Sequence, residues 1–326
     1  MCTAICRGPY CGRTLDYEFS YTEEGTIFPR NAFLPLRHEG DLSTHHALIG
    51  MAFVQEDFPL YYDAMNEHGL YGAALAFGGN AHYFPPRKGA LNLASFELIP
   101  YLLGRCASLS ALRALIENLN ITDSPFRQDL PPSPLHWIFA DTQQAVVLES
   151  TAQGLQIYEN PVGVLTNNPP FPYHLQKLCE FSHLSASASA DPLFPESAPY
   201  SRGMGGMGLP GDLSSSSRFI RAAFTNRLAT IGESKSDQVR QFFRVLGTVE
   251  QVKGCVLLED GQLEHTIYTA CCDLENGVYF YTTHQNERII GIDLHQEDLD
   301  GSRLISYPLL QETPMIQNAP CQKAPS

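Results

Sequence analysis

The stretch MCTAI at residues 1–5 places a cysteine directly after the first methionine. Once Met1 is removed, Cys2 carries both a thiol and a free α-amino group, and the reference pKa of such an amine is roughly 7.7 to 8.0. A nucleophile and a general base then reside on one residue, which predicts Cys2 as the centre of an acyl-transfer site. The alternative is that Cys2 is an incidental residue of a frayed terminus.

The segment GRTLD at residues 12–16 follows this stretch after a short turn. A returning hairpin strand would bring Arg13 and Asp16 beside Cys2, where Arg13 favours the thiolate and Asp16 holds the α-amine. An ordinary strand-edge charge pair would explain the same two residues, so the spacing alone leaves both interpretations open.

The composition predicts one globular domain, which we place at residues 1–316. The chain has 326 residues, of which 44% are hydrophobic and 17% charged, so it can bury a large core. A formal charge of −14 argues against nucleic acid as a partner. No apolar run reaches the roughly 18 residues that a membrane span needs, and the first residues lack the pattern of a secretory signal. We therefore expect a cytoplasmic protein without a membrane partner.

The cysteines and glycines do not predict a metal or a cofactor. The nine cysteines form an odd set and indicate free thiols. A zinc site built from Cys2, Cys6 and Cys11 is not indicated, because their spacing lacks the C-x2-C pairs of structural zinc sites and no nearby histidine supplies a fourth ligand. Residues 203–208 match G-x-G-x-x-G, but no strand precedes them, and 209–211 read Leu-Pro-Gly where a helix should begin.

The apolar patterns predict many short strands and a smaller number of helices. Strands are expected at 47–54, 70–77, 137–141, 145–150, 155–158, 255–259, 265–271, 278–283 and 289–293, and helices at 95–103, 109–119, 173–181, 218–231 and 236–246. Strands in bulk with segregated helices indicate an α+β layered domain built mostly from antiparallel sheet. Residues 182–211 are rich in Ser, Ala, Pro and Gly, which predicts a long irregular loop, and 317–326 a flexible tail.

Two later segments supply further polar candidates. Asn167 lies in the run LTNNPP, and an asparagine fixed at a strand end can donate to an oxyanion, although Asn-Pro is also a common turn dipeptide. Arg218 lies in the first turn of a predicted helix, where a cation opposes the helix dipole, so an interaction elsewhere explains its position better.

In order along the chain, these segments closely resemble the choloylglycine hydrolase family, which includes bile salt hydrolases and penicillin V acylases. The motifs that carry the resemblance are MCT at 1–3, GRTLD at 12–16, NEHGL at 66–70, LHW at 135–137, GVLTN at 163–167 and GLPGD at 208–212 leading to SRF at 217–219. Further similarity lies in FPRN at 28–31 and YFY at 279–281.

The resemblance implies an N-terminal-nucleophile hydrolase with an αββα four-layer fold that cleaves a linear amide C–N bond without a cofactor. It implies Cys2 as the nucleophile and, through its amine, the base. Arg13 and Asp16 support Cys2, Asn167 donates to the oxyanion, and Arg218 completes the polar network. Family members commonly form tetramers, so a homo-oligomer is expected.

One departure concerns the oxyanion site. Bile salt hydrolases usually carry asparagine, and penicillin V acylases often tyrosine, where this chain has Ala76. The backbone N–H of Ala76 remains as a donor, but unless another group compensates, the loss of a side-chain donor costs on the order of 2 to 4 kcal/mol in the transition state.

The expected substrate is a glycine- or taurine-conjugated bile salt, held in a mostly hydrophobic pocket. Leu15, Phe19, Phe58 and residues 121–135 are the candidates to line it, and each is equally explained as core or as a loop anchor. Penicillin V or another N-acyl amide is the alternative substrate. A catalytically weak relative that only binds amphiphiles is the alternative from another functional class.

Overall fold

Antiparallel strands form most of the regular structure in residues 1–187 and 202–310, the residues that this computed structural model describes. The strands are β1 (Cys2–Arg7), β2 (Tyr10–Tyr17), β3 (Glu24–Phe28), β4 (Leu48–Gln55), β5 (Phe58–Asn66), β6 (Tyr71–Ala76), β7 (Leu91–Ala94), β8 (Leu119–Thr122), β9 (Leu135–Ala140), β10 (Ala145–Thr151), β11 (Gly154–Glu159), β12 (Val164–Leu165), β13 (Val256–Leu257), β14 (Leu263–Asp273), β15 (Val278–Thr283), β16 (Asn286–Asp293) and β17 (Ile305–Pro308).

Helices occupy two separate parts of the sequence. They are α1 (Leu98–Arg105), α2 (Leu109–Ile116), α3 (Phe171–Leu178), α4 (Ser215–Leu228) and α5 (Lys235–Gly247). Ser108, Ser214 and Ser234 cap α2, α4 and α5 by accepting a backbone N–H, because serine at this position satisfies a donor that the first helical turn leaves free. Among the described residues, no helix has both the length and the apolar composition to cross a bilayer.

The strands form two large sheets and a small parallel pair, β7 with β8. The first sheet has the order β12-β1-β2-β14-β15-β16, with β13 on β14, and the second has the order β11-β10-β9-β6-β5-β4-β3-β17. Strands β1 and β6 contact each other across the interface between the sheets. The N-terminal strand therefore lies inside the first sheet and faces the second.

Helices cover the outer face of each sheet. Helices α4 and α5 pack on β1, β2 and β14, and α1 packs on β4, β5 and β6. One apolar core lies between the sheets and under α4 and α5, and another lies between the second sheet and helices α1 and α2. The layers are helix, sheet, sheet and helix, which confirms the α+β prediction and the αββα arrangement that the resemblance implies.

The differences from the predicted elements have local causes. Leu119 begins β8 rather than ending a helix from 109, and the predicted strand at 255–259 shortens to two residues. The sequence does not predict β5, because Pro59 and the charged Asp63 interrupt its apolar pattern. The loop prediction at 182–211 lies partly, and the tail prediction at 317–326 wholly, outside the described residues.

The glycine-rich run at 203–208 has no dinucleotide-binding geometry. Met204–Gly206 form a single 3-10 turn, and the next helix begins only at Ser215. The described cysteines are all free thiols, as predicted, and Cys321 lies outside the described residues.

Candidate active site

Cys2 is the first residue of β1 and is 4% exposed. It pairs with Leu15 across the hairpin formed by β1 and β2, so the predicted hairpin is present. The backbone N–H of Cys2 donates to Oδ1 of Asn167 over 3.0 Å. This nitrogen becomes the α-amine when Met1 is absent, so Asn167 is the side chain that contacts it.

Arg218 connects Cys2 to Asn167 from the first turn of α4. Its Nη1 donates to the Cys2 carbonyl oxygen over 2.6 Å and to Thr3 Oγ1 over 2.7 Å, and its Nη2 donates to Asn167 Oδ1 over 2.6 Å. Burial lowers the pKa of Arg218, while Asp16 and Cys2 act in the opposite direction. These contacts explain why a cation occupies a helix N-terminus that would favour an anion.

Hydrogen bonds hold both the backbone and the side chain of Asn167. Its backbone N–H donates to Ser215 Oγ over 2.9 Å, its carbonyl oxygen lies 2.9 Å from Nε2 of His174, and its Nδ2 donates to the Ala76 carbonyl over 2.9 Å. The side-chain amide has a second hydrogen that this last bond does not use. The segment before α3 thus holds Asn167 between Cys2 and β6.

Asp16 is fully buried in β2, and its carboxylate accepts hydrogen bonds from Thr14 and Thr266 hydroxyls over 3.1 and 2.6 Å. The Met1 ammonium contacts the carbonyl oxygen of Asp16 and a carboxylate oxygen of Glu264, each over 2.6 Å. Burial raises the pKa of Asp16, whereas Arg218 and the terminal amine lower it.

Arg13 lies where β5 and β6 separate. The last paired residues of these strands are Asp63 and Ala73, and the next position would join Tyr62 to Ala74. Instead, Nη1 of Arg13 donates to the Tyr62 carbonyl over 2.9 Å and to the Ala74 carbonyl over 2.5 Å. The guanidinium replaces that rung of the sheet and keeps the strands apart.

Ala76 lies further along β6 at this split. The backbone N–H of Phe77 donates to Pro134 beside β9, and adjacent residues of a strand direct their backbone groups to opposite edges. The N–H and C=O of Ala76 therefore face the split, as the bond from Asn167 to its carbonyl also requires.

A cavity of about 330 Å³ opens at the split and reaches Cys2, Arg13 and Asp16. We refer to Cys2, Arg13, Asp16, Asn167 and Arg218 as the polar cluster. Most of the remaining lining is hydrophobic or aromatic, and we refer to the following residues as the apolar wall. They are Tyr61, Phe96, Phe126, Leu130, Leu135 and Trp137.

The three residues predicted to bind substrate have different positions. Leu15 lines the cavity, as do several residues of the segment 121–135. Phe58 does not line it, because Phe58 is buried behind Phe96 and Phe126, whose rings it contacts. Phe19 is also outside the lining: it is 42% exposed and packs on the rings of Tyr17 and Tyr21.

Among the described residues, one group of possible metal ligands is present, and none of its members lines this cavity. It consists of His46, Glu67 and His68. Both carboxylate oxygens of Glu67 already accept hydrogen bonds from Arg30.

Residues 2–307 match the linear amide C–N hydrolases of the choloylglycine hydrolase family. The chain belongs to this family. It is therefore an amide hydrolase, and its Cys2 stands where an N-terminal-nucleophile enzyme has its nucleophile.

Relatives and solved structures agree with this assignment. The chain is 49% identical to a bile salt hydrolase/transferase of Lactiplantibacillus plantarum, over 96% of this chain and 98% of the relative. It is similar to a crystal structure of the conjugated bile acid hydrolase of Clostridium perfringens, with a TM-score of 0.87, 30% identity, and coverage of 98% of this chain and 100% of that one. A penicillin V acylase from Agrobacterium tumefaciens, at 18% identity and a TM-score of 0.75 over 94% and 90% of the chains, shares the fold.

Several supporting groups were not predicted from the sequence. Ser215 and His174 hold Asn167, and His136 contacts the Thr166 carbonyl at 3.0 Å and Glu149 at 3.1 Å. His136 lies in the quoted motif LHW, which was the only signal for any of these groups. The others become neighbours of the site only through the fold.

Proposed function

We propose that this protein hydrolyses the amide bond of glycine- or taurine-conjugated bile salts, with Cys2 as the nucleophile. The observation that carries the proposal is the position of Cys2: its backbone nitrogen is held by Asn167, and the residue borders a mostly apolar cavity. The names of the relatives point to the same substrate class.

The proposed reaction begins after Met1 is removed. The α-amine of Cys2 takes the thiol proton, and the sulfur attacks the amide carbonyl, forming a C–S bond. The ammonium then returns the proton to the leaving amine as the C–N bond breaks. Water hydrolyses the thioester, the acid is released, and the thiol recovers its proton. Arg13 and Asp16 support Cys2, and Arg218 fixes both Cys2 and Asn167.

Two groups at the split are proposed to stabilise the oxyanion. They are the second hydrogen of the Asn167 amide, whose other hydrogen is bonded to the Ala76 carbonyl, and the backbone N–H of Ala76, a residue that lines the cavity together with Cys2. Fixed donors aimed at developing charge are the strongest form of transition-state stabilisation that such a site offers.

The apolar wall supports a substrate with a rigid hydrophobic body. Burial of apolar surface contributes roughly 25 cal/mol per Å², so a steroid fits these aromatic and aliphatic residues better than a small polar amide does.

The test is release of glycine or taurine from conjugated bile salts, with penicillin V as the competing substrate and a Cys2→Ser variant as control. We expect kcat/KM to be highest for a conjugated bile salt and product release to disappear in the variant. A higher kcat/KM for penicillin V than for any conjugated bile salt would instead identify the protein as a penicillin V acylase. Binding of bile salts without any release would favour the amphiphile-binding alternative.

We further propose a cytoplasmic homotetramer in which residues 1–316 form one domain. Pairing of β17 with β3, and of β14 with β2, supports the single domain because the C-terminal strands complete sheets begun by the N-terminal ones. Light scattering of the full chain should give four times the monomer mass, and a monomer would contradict the assembly.

A further inference from the structure

Asp63 is a fully buried carboxylate that the proposed reaction does not use. It lies on β5, and its two oxygens accept hydrogen bonds from the Tyr268 hydroxyl over 2.7 Å and the Tyr279 hydroxyl over 3.1 Å. Aspartate is almost never fully buried unless it is paired. Both tyrosines belong to the opposite sheet, so the carboxylate lies between the sheets.

The position of Asp63 in the ladder places it next to Arg13. Asp63 and Ala73 form the last rung between β5 and β6, and the Arg13 guanidinium occupies the adjacent rung through the carbonyls of Tyr62 and Ala74. Nη2 of Arg13 has no hydrogen-bond partner among the described residues. The Asp63 carboxylate, one residue from this rung, supplies the counter-charge that the buried Arg13 guanidinium requires.

We propose that Asp63 is a positioning residue that acts on Cys2 through Arg13. This inference rests on the proposed role of Cys2. Asp63 is fixed by the two tyrosine hydroxyls and balances the charge of Arg13 without a direct hydrogen bond between them, so that Arg13 supports the thiolate without making it a poor nucleophile. A thiolate that is stabilised too strongly loses nucleophilicity.

Of Asp63 and the titratable groups that face it, Asp63 is the one with a pKa near neutral pH. Burial raises the pKa of Tyr268, Tyr279, Tyr71 and Cys272 well above their usual values, so these groups stay neutral. Burial also raises the pKa of Asp63 to about 6, against Arg13 and the two tyrosine hydroxyls, which lower it.

The test compares the pH dependence of Cys2 alkylation by iodoacetamide in the mature wild type and in Asp63→Asn. Peptide mass spectrometry resolves Cys2 from the exposed Cys179 and Cys255, which serve as internal controls. With the counter-charge removed, the pH of half-maximal alkylation should fall by about one unit, and kcat should fall more than KM changes. The two control cysteines should not shift.

A second variant keeps the test informative if Asp63→Asn fails to fold. Tyr279→Phe retains the carboxylate but removes one donor, so Asp63 stays protonated to a higher pH and the alkylation profile should shift in the same direction by less. An unchanged Cys2 profile in the folded variants would overturn the inference and leave Asp63 a structural residue. Alkylation needs no substrate, so this result is separate from a failure of the bile salt assignment.

Discussion

The polar cluster and the apolar wall meet at one cavity but are built in opposite ways. In the polar cluster, Arg218 alone joins Cys2, Thr3 and Asn167 with bonds of 2.6 to 2.7 Å. The apolar wall makes ring contacts such as that between Phe96 and Phe126, whose centroids lie 5.3 Å apart. Directional bonds depend on every partner, whereas apolar contacts depend on area. A change in the cluster should therefore affect catalysis far more than a change in the wall.

The largest effect is expected from Cys2→Ser. Serine lacks the reactive thiolate, so kcat should fall by more than about 10³-fold while the thermal transition stays near that of the wild type. Cys179→Ser, at an exposed thiol, is the control and should retain full activity. Comparable rates for Cys2→Ser and wild type would remove Cys2 from the mechanism.

Arg218→Lys should come next. Lysine has a single terminal nitrogen in place of the planar fork whose two Nη atoms bond Cys2 and Asn167 separately, so these residues lose their common support and kcat should fall by roughly 100-fold. Arg221→Lys is the matched control, because Arg221 lies on the same helix but donates to the carbonyls of Pro210, Asp212 and Thr248. Equal losses in the two variants would mean that helix stability, rather than the site, is affected.

Asp63→Asn should change how stability depends on pH. The pKa of Asp63 is raised to about 6 from 3.8, so the folded state favours its protonated form. The contribution of this pKa shift to the free energy of unfolding is complete below about pH 4. It decreases by about 3 kcal/mol as the pH rises through 6. Urea unfolding of both proteins from pH 4 to 7 measures the difference. A difference that does not change with pH would show that Asp63 is charged throughout.

Phe126→Ala should raise KM by roughly tenfold and leave kcat nearly unchanged, because the wall binds the substrate and its transition state alike. Phe33→Ala, at a 56% exposed ring that does not line the cavity, is the control. A fall in kcat as large as that of Arg218→Lys would remove the distinction between wall and cluster.

Ala76→Asn should have the smallest effect and the opposite sign. It adds a side-chain amide at the split, and steady-state assays should show a rise of a few-fold in kcat if that amide reaches the oxyanion. A lower kcat would mean that the backbone N–H of Ala76 and Asn167 already fill the oxyanion site.

The sequence predicts those parts of the site whose residues lie close together along the chain. The hairpin that carries Cys2, Arg13 and Asp16 follows from a short turn between two segments. Asn167 and Arg218 lie 165 and 216 residues from Cys2 along the chain, so no local pattern places them beside it. Only the resemblance, through the order of the motifs, predicts that the three residues form one site.

The residues that the sequence missed depend on how the two sheets face each other. Tyr268 meets Asp63 across 205 residues, and no local pattern records this contact. Phe58 was misplaced because an apolar residue near a pocket can belong either to its surface or to the layer behind it. Only the rings of Phe96 and Phe126 in front of it decide the matter.

Acylation of Cys2 is tested most directly by the mass of the enzyme quenched in acid during turnover of a glycine-conjugated bile salt. We predict a protein without Met1 that carries one bile acyl group, mapped to Cys2 in the N-terminal peptide. Turnover by a protein that retains Met1, or an acyl group on any other residue, would contradict Cys2 as the nucleophile.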